Sequence, residues 1–203
     1  MNKLKLSAIV CISILITACT SVPLSTMWKL RNFDPLQADP SQIRIAVITD
    51  KIVQLKDDAV TMELSFTSEF PEHTFKNISN ATVKTNSSVQ ELDSKLSDNE
   101  RITLFYLDKE TADQMRLAQN RIRISKQNEI KGDGSFSVNV NTGCFDGPKP
   151  KELKANIYAQ FDSNKGYIKM ISDLDLLSQI DQGEFWYECD AAADKASKDS
   201  SPL

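Results

Sequence analysis

Two runs of strict alternation decide what this chain can fold into. Ile43, Ile45 and Val47 alternate with Gln42, Arg44 and Ala46, and Val60, Met62, Leu64 and Phe66 alternate with Thr61, Glu63 and Ser65. Successive side chains of a strand point to opposite faces. A period of two built from β-branched and aromatic residues therefore marks strands half-buried in an antiparallel sheet. The Lys56-Asp57-Asp58 segment between the two runs reads as a turn or loop.

The same pattern recurs downstream. Ile102 to Leu107 is a compact strand, and Phe136, Val138 and Val140 mark another after a turn at Lys131-Gly132-Asp133-Gly134. Leu153 to Phe161 and Tyr167 to Ile171 flank Asp162-Ser163-Asn164-Lys165-Gly166, a hairpin loop of the type that places Asn or Gly at positive φ. Between residues 67 and 99 the chain is polar, and Phe75, Ile78 and Val83 are the anchors for one or two edge strands.

One helix stands out. Asp108 caps it, Lys109 to about Ile124 lacks Gly and Pro, and Ala112, Met115, Ala118 or Gln119, and Ile122 form an inward stripe. Asp113, Arg116, Asn120 and Arg123 then face water. Asp39-Pro40 predicts a single helical turn before the first strand, Asp173 to Ile180 a short helix, and Glu184 to Cys189 a final strand. Short strands that do not alternate regularly with helices give a mainly β fold. The expectation is an antiparallel β-sandwich-like domain with one clear helix, with α+β as the alternative.

The N-terminus carries a different signal. Lys3 and Lys5 precede an almost wholly apolar or small stretch, residues 6–18, which would span about 20 Å as a helix, short of the roughly 30 Å hydrocarbon core of a bilayer. It reads as the apolar core of an export signal, not as a membrane span. The stretch closes Ile16-Thr17-Ala18-Cys19, which resembles the lipobox of bacterial lipoproteins. That resemblance implies diacylglycerol on the Cys19 thiol, cleavage before it and an acyl chain on the new N-terminus. Two or more acyl chains give stable anchoring. Thr20 follows where the family's inner-membrane proteins often carry an acid, so the resemblance implies an outer-membrane protein facing the periplasm. An ordinary secretory signal with a chance cysteine is the alternative. Cys11 leaves with the leader.

On this reading residues 1–18 are the leader, 19–42 a lipidated N-terminus and flap or linker, 43–189 one β-rich domain, and 190–203 a solvated tail of Ala, Lys, Asp and Ser. Cys144 and Cys189 remain after Cys19. An even pair in an exported chain predicts a disulfide, worth about 4 kcal/mol by loop entropy for its 45-residue separation. Trp28 lies nine residues beyond Cys19. Either it rests at the membrane interface, where an indole suits mixed surroundings, or Met27, Trp28, Leu30 and Phe33 pack back on the domain as a flap. Thr26-Met27-Trp28-Lys29-Leu30 with Phe33-Asp34-Pro35 resembles the start of uncharacterised proteobacterial lipoproteins, a match of a dozen residues that brings no activity.

Charge narrows the function. Losing Lys3 and Lys5 takes the formal charge from −4 to −6. An acidic chain without a basic block is a poor binder of nucleic acid, and attachment to anionic lipid would come from the acyl chains rather than a polybasic face. Chemistry-bearing constellations are sparse. His73 is the sole histidine, which limits Ser-His-Asp or Cys-His catalysis and zinc ligation. Asp173, Asp175, Asp181 and Glu184 sit at the spacing of an EF-hand's acids, but Leu177 and Ser178 stand where an oxygen ligand and glycine belong. No metal or cofactor is expected. The leading expectation is a non-catalytic module that binds another envelope component, protein or glycan. A carrier of a lipid or apolar molecule is the alternative, with Phe136, Tyr158, Phe161, Tyr167, Phe185 and Trp186 as its aromatic lining. A carboxylate-dependent hydrolase ranks third.

Overall fold

A computed structural model describes residues 34–84, 89–148, 150–178 and 186–189, with Trp186 and Tyr187 placed by backbone alone. Cys19, Trp28, the leader, the proposed flap and the tail lie outside the described residues, as do Asp181, Glu184 and Phe185. The strands are β1 (Arg44–Asp50), β2 (Val53–Gln54), β3 (Val60–Ser68), β4 (Phe75–Asn80), β5 (Thr82–Lys84), β6 (Glu100–Tyr106), β7 (Gly132–Val140), β8 (Gly143–Phe145), β9 (Lys154–Gln160), β10 (Ile168–Asp175) and β11 (Trp186–Glu188). Among the described residues two α-helices accompany them, α1 (Gln90–Asp93) and α2 (Lys109–Gln127).

The architecture is mainly β and sandwich-like, with antiparallel sheets and one long helix. A five-stranded sheet runs β10-β9-β1-β6-β5, a three-stranded sheet runs β4-β3-β7, and a small third sheet runs β11-β8-β2. β1 is the hub of the first, paired antiparallel with β6 on one side and β9 on the other. β3 is the hub of the second, in unbroken register with β7 from Val60↔Val140 to Ser68↔Gly132. β8 and β11 run parallel, an exception to the antiparallel expectation. The Cys144–Cys189 disulfide crosslinks this small sheet, with Cα atoms 4.9 Å apart.

The alternation read from β1 understates its burial. Ile45 and Val47 enter the main core with Met62 and Phe66 of β3, Phe105 of β6 and Met115 and Ile122 of α2. Ala46 and Ile48 point the other way, yet they are also buried, with Leu104, Tyr158 and Tyr167 beneath Leu92 of α1. The five-stranded sheet is thus covered on both faces at its centre. The three-stranded sheet follows the simple rule: Val60, Met62, Leu64 and Phe66 face the core, and Glu63 and Ser65 alternate with them along the outer face.

The long helix follows the sequence closely. The Asp108 side chain accepts from the Thr111 amide at 2.8 Å, satisfying an N-terminal donor the helix itself cannot. Ala112, Met115, Ala118, Gln119, Ile122 and Ser125 are buried. At the C-terminus, the Ile130 amide bonds the Ser125 carbonyl and the Glu129 amide bonds the Lys126 carbonyl, with Glu129 at φ 59. This is a Schellman closure whose left-handed position, commonly glycine, is held by a glutamate.

Three local expectations are corrected. Lys131 to Gly134 is not a turn: β7 begins at Gly132, because a glycine lets the strand pass against the Phe66 ring and the Thr67 carbonyl. The hairpin loop needs no positive φ at Asn164 or Gly166; instead a Cβ at Gly166 would meet the Glu91 carboxylate at 2.8 Å. Asp173 to Asp175 is the end of β10, with Asp173 at φ 51 and two register shifts along the strand, and only Leu177 and Ser178 begin a helical turn before the described segment ends at residue 178.

Candidate functional site

Two depressions mark the surface, one walled by the segment that Arg116 and Gln119 of α2 hold in place and one lying on α2 itself. The first is a polar cleft of about 590 Å³ where the chain enters the domain. Asp39 caps the 3₁₀ turn Pro40–Gln42, as the Asp-Pro pair predicts, and its Oδ1 also accepts from Arg116 of α2 at 2.8 Å. Gln119 reaches from the same helix face to donate to the carbonyls of Pro35 and Ala38, both at 2.8 Å. The hairpin loop between β9 and β10 forms the far wall with Asp162, Asn164 and Lys165, and Phe161 lies at its base.

Three carboxylates line this cleft, and each already has local work. Asp34 accepts from the Leu36 amide and the Gln37 side chain. Asp162 accepts from the Asn164 amide at 2.9 Å, the turn-stabilising bond typical of Asp. Asp39 is held below the ordinary carboxylate range, first by the Ser41 hydroxyl and then by the Arg116 guanidinium. A glycosidase-type general acid needs the opposite displacement.

The second depression is an open groove of about 380 Å³ along α2, lined by Leu117, Arg121, Ile124 and Ile130, with His73 from the 3₁₀ turn Pro71–His73 on its far bank. Leu117 is 70% exposed, Ile124 51% and Phe70 51%, and Phe70 sits edge-on to His73 with ring centroids 6.3 Å apart. Three of the four large exposed apolar residues among those described thus gather at one place, with Ile78 apart on the outer face of β4. Isolated exposed apolar residues are ordinary; a contiguous group marks an interaction surface. Arg121 lies over the Phe75 ring. No carboxylate lines the groove, although Glu69, Glu72 and Glu129 stand nearby in the chain.

The sequence reading placed no site on α2. Its signal was nevertheless present. Leu117 and Ile124 are seven residues apart and fall off the buried stripe, on the face that also bears Asn120 and Arg121. Of the residues singled out beforehand, Cys144 and Cys189 are joined. His73 belongs to the groove. Of the aromatic residues offered as a carrier's lining, the four whose side chains are described do not converge: Phe136 and Phe161 meet edge-to-face at 5.8 Å in the main core, whereas Tyr158 and Tyr167 lie in the second cluster across the sheet, and the side chains of Phe185 and Trp186 lie outside the described residues. Among the described residues no group of His, Cys, Asp and Glu could hold a metal, and no helix is long and apolar enough to cross a membrane. No family model, no curated protein and no solved structure matches the chain.

Proposed function

We propose that the protein is a lipoprotein of the outer membrane, facing the periplasm and held by acyl chains on Cys19, whose domain binds another envelope protein without catalysing a reaction. The lipobox-like Ile16-Thr17-Ala18-Cys19 behind a charged, apolar leader supports the address. The observation that carries the binding role is the apolar groove on α2. Its lining offers Leu117, Ile124 and Ile130 for apolar contact and Asn120, Ser125 and Asn128 for hydrogen bonds, with only Arg121 and His73 as charged or titratable groups. Such a surface suits an apolar segment bearing a carboxylate better than a glycan, which presents hydroxyls throughout. Arginine is among the residues enriched at an interface's energetic centre, which gives Arg121 the leading place in this one. The locally engaged acids of the polar cleft favour binding over hydrolysis.

Photo-crosslinking in intact cells tests this. A photoreactive residue at position 117 or 124 is expected to trap one reproducible protein, the same residue at exposed position 56 none, and Arg121→Glu to abolish the product. No product from 117 or 124, or the same product from 56, would count against the groove as the binding surface.

A further inference from the structure

We propose that two copies of this chain associate through β7, edge to edge, about a two-fold axis passing beside Phe136. The proposal does not depend on the lipoprotein reading. A sheet edge exposes unpaired backbone N–H and C=O groups, and natural proteins blunt such edges with lysine, proline, bulges or short length. The edges of the two main sheets can be compared directly. β10 carries Lys169 and two register shifts. β5 has three residues and ends in Lys84. β4 carries Lys76, and the Phe75 ring at its start is covered by Arg121. β7 has none of these devices. It is nine residues long, contains no Lys or Pro, keeps one register with β3 along its whole length, and among the described residues no strand bonds to its other side.

The order of residues along β7 also suits self-pairing. In an antiparallel pair centred on Phe136, Ser135 stands opposite the partner's Ser137, and Asp133, the strand's only charge, stands opposite the partner's Asn139 rather than another acid. On the core-facing side, Gly134 meets the partner's Val138 and Gly132 the partner's Val140, small against large. No like charges meet, which is the requirement for directly opposed cross-strand pairs. The joined edges make one six-stranded sheet with an isologous, closed interface.

Sedimentation equilibrium of the full chain, density-matched in a non-ionic detergent, tests the proposal. The wild type is expected at the mass of two chains. Ser135→Lys with Ser137→Lys, which opposes lysine to lysine twice, is expected to weaken association by about tenfold or more, as is Ser135→Glu with Ser137→Glu. An equimolar mixture of the two is expected to restore the dimer. Independently, a mixture of Ser135→Cys and Ser137→Cys chains is expected to form more intermolecular disulfide than either alone. A wild type of single-chain mass, which would leave this edge for a different partner's strand, overturns the proposal. So does a dimer unmoved by the lysine pair, or a cysteine mixture that crosslinks no better than its components. None of these outcomes depends on whether position 19 is acylated.

Discussion

The guanidinium carbon of Arg121 stands 4.2 Å from the centre of the Phe75 ring. That contact joins the long helix to the edge strand β4 and sets one wall of the apolar groove. An arginine over an aromatic face is held by the ring's quadrupole as well as by packing of its own stem. It leaves the edge of the guanidinium available beside Leu117 and Ile124.

Arg121→Ala is therefore expected to lower stability by about 0.5–1 kcal/mol, the range for an exposed cation–π pair. Arg121→Met, which keeps the stem, should recover part of this loss. Urea midpoints of the two variants provide the comparison. Equal losses in both would assign the effect to charge, and no loss in either would deny the contact any energetic role.

The glycines of β7 make a controlled pair. A Cβ at Gly132 would come within 2.6 Å of both the Phe66 ring and the Thr67 carbonyl, whereas at Gly134 the nearest contact is the Ser65 carbonyl at 3.9 Å. Gly132→Ala is expected to cost about 1–3 kcal/mol through overpacking against backbone that cannot step aside. Gly134→Ala is expected to be neutral or stabilising, since it removes freedom from the unfolded chain. Thermal melts of both variants check the sign of each.

Glu129 occupies the left-handed position at the end of α2 with φ 59. A residue with a Cβ is strained there, so Glu129→Gly should stabilise the protein by up to about 1 kcal/mol. Glu129→Val, β-branched at the same φ, should destabilise it. Denaturant titration of the two variants against wild type reads both directions.

Asp39 has its folded-state pKa depressed below 3.8, chiefly by the Ser41 hydroxyl and then by Arg116. A depressed acid contributes stability above its unfolded pKa and loses it as pH falls through the folded value. Wild type should therefore exceed Asp39→Asn in stability at pH 7, and the gap should close as pH falls below 3.8. Because the carboxylate side chain is 43% exposed and screened by solvent, the gap is expected to stay within about 1 kcal/mol. Urea midpoints measured across pH 2–7 show the trend, and a gap independent of pH would remove the electrostatic explanation.

Much of this fold was legible in the residue order. The period-two runs gave β1 and β3, and the Asp108 cap with the Ala112–Met115–Ile122 stripe gave α2. The even cysteine pair gave the crosslink. What escaped depended on distant partners. Ala46 resembled a solvent-facing position until α1 covered the second face of the five-stranded sheet. Gly132 and Gly166 resembled turn residues, but Gly132 is required by the close approach of Phe66 and the Thr67 carbonyl, and Gly166 lies against the Glu91 carboxylate. The groove escaped because Leu117 and Ile124 look like core residues in a helix; exposure is a property of what fails to pack against them. The parallel β8–β11 pair could not be foreseen from short strands so far apart in sequence.

Acylation of Cys19 is tested most directly by intact-mass analysis of the protein extracted from membranes of palmitate-labelled cells. The predicted result is a chain that begins at residue 19, carries the mass of a diacylglyceryl group and an amide-linked acyl chain, and retains label. A chain that keeps its leader, or one that begins at or near residue 19 with an unmodified amino end and no label, would contradict the lipid anchor and the envelope role built on it.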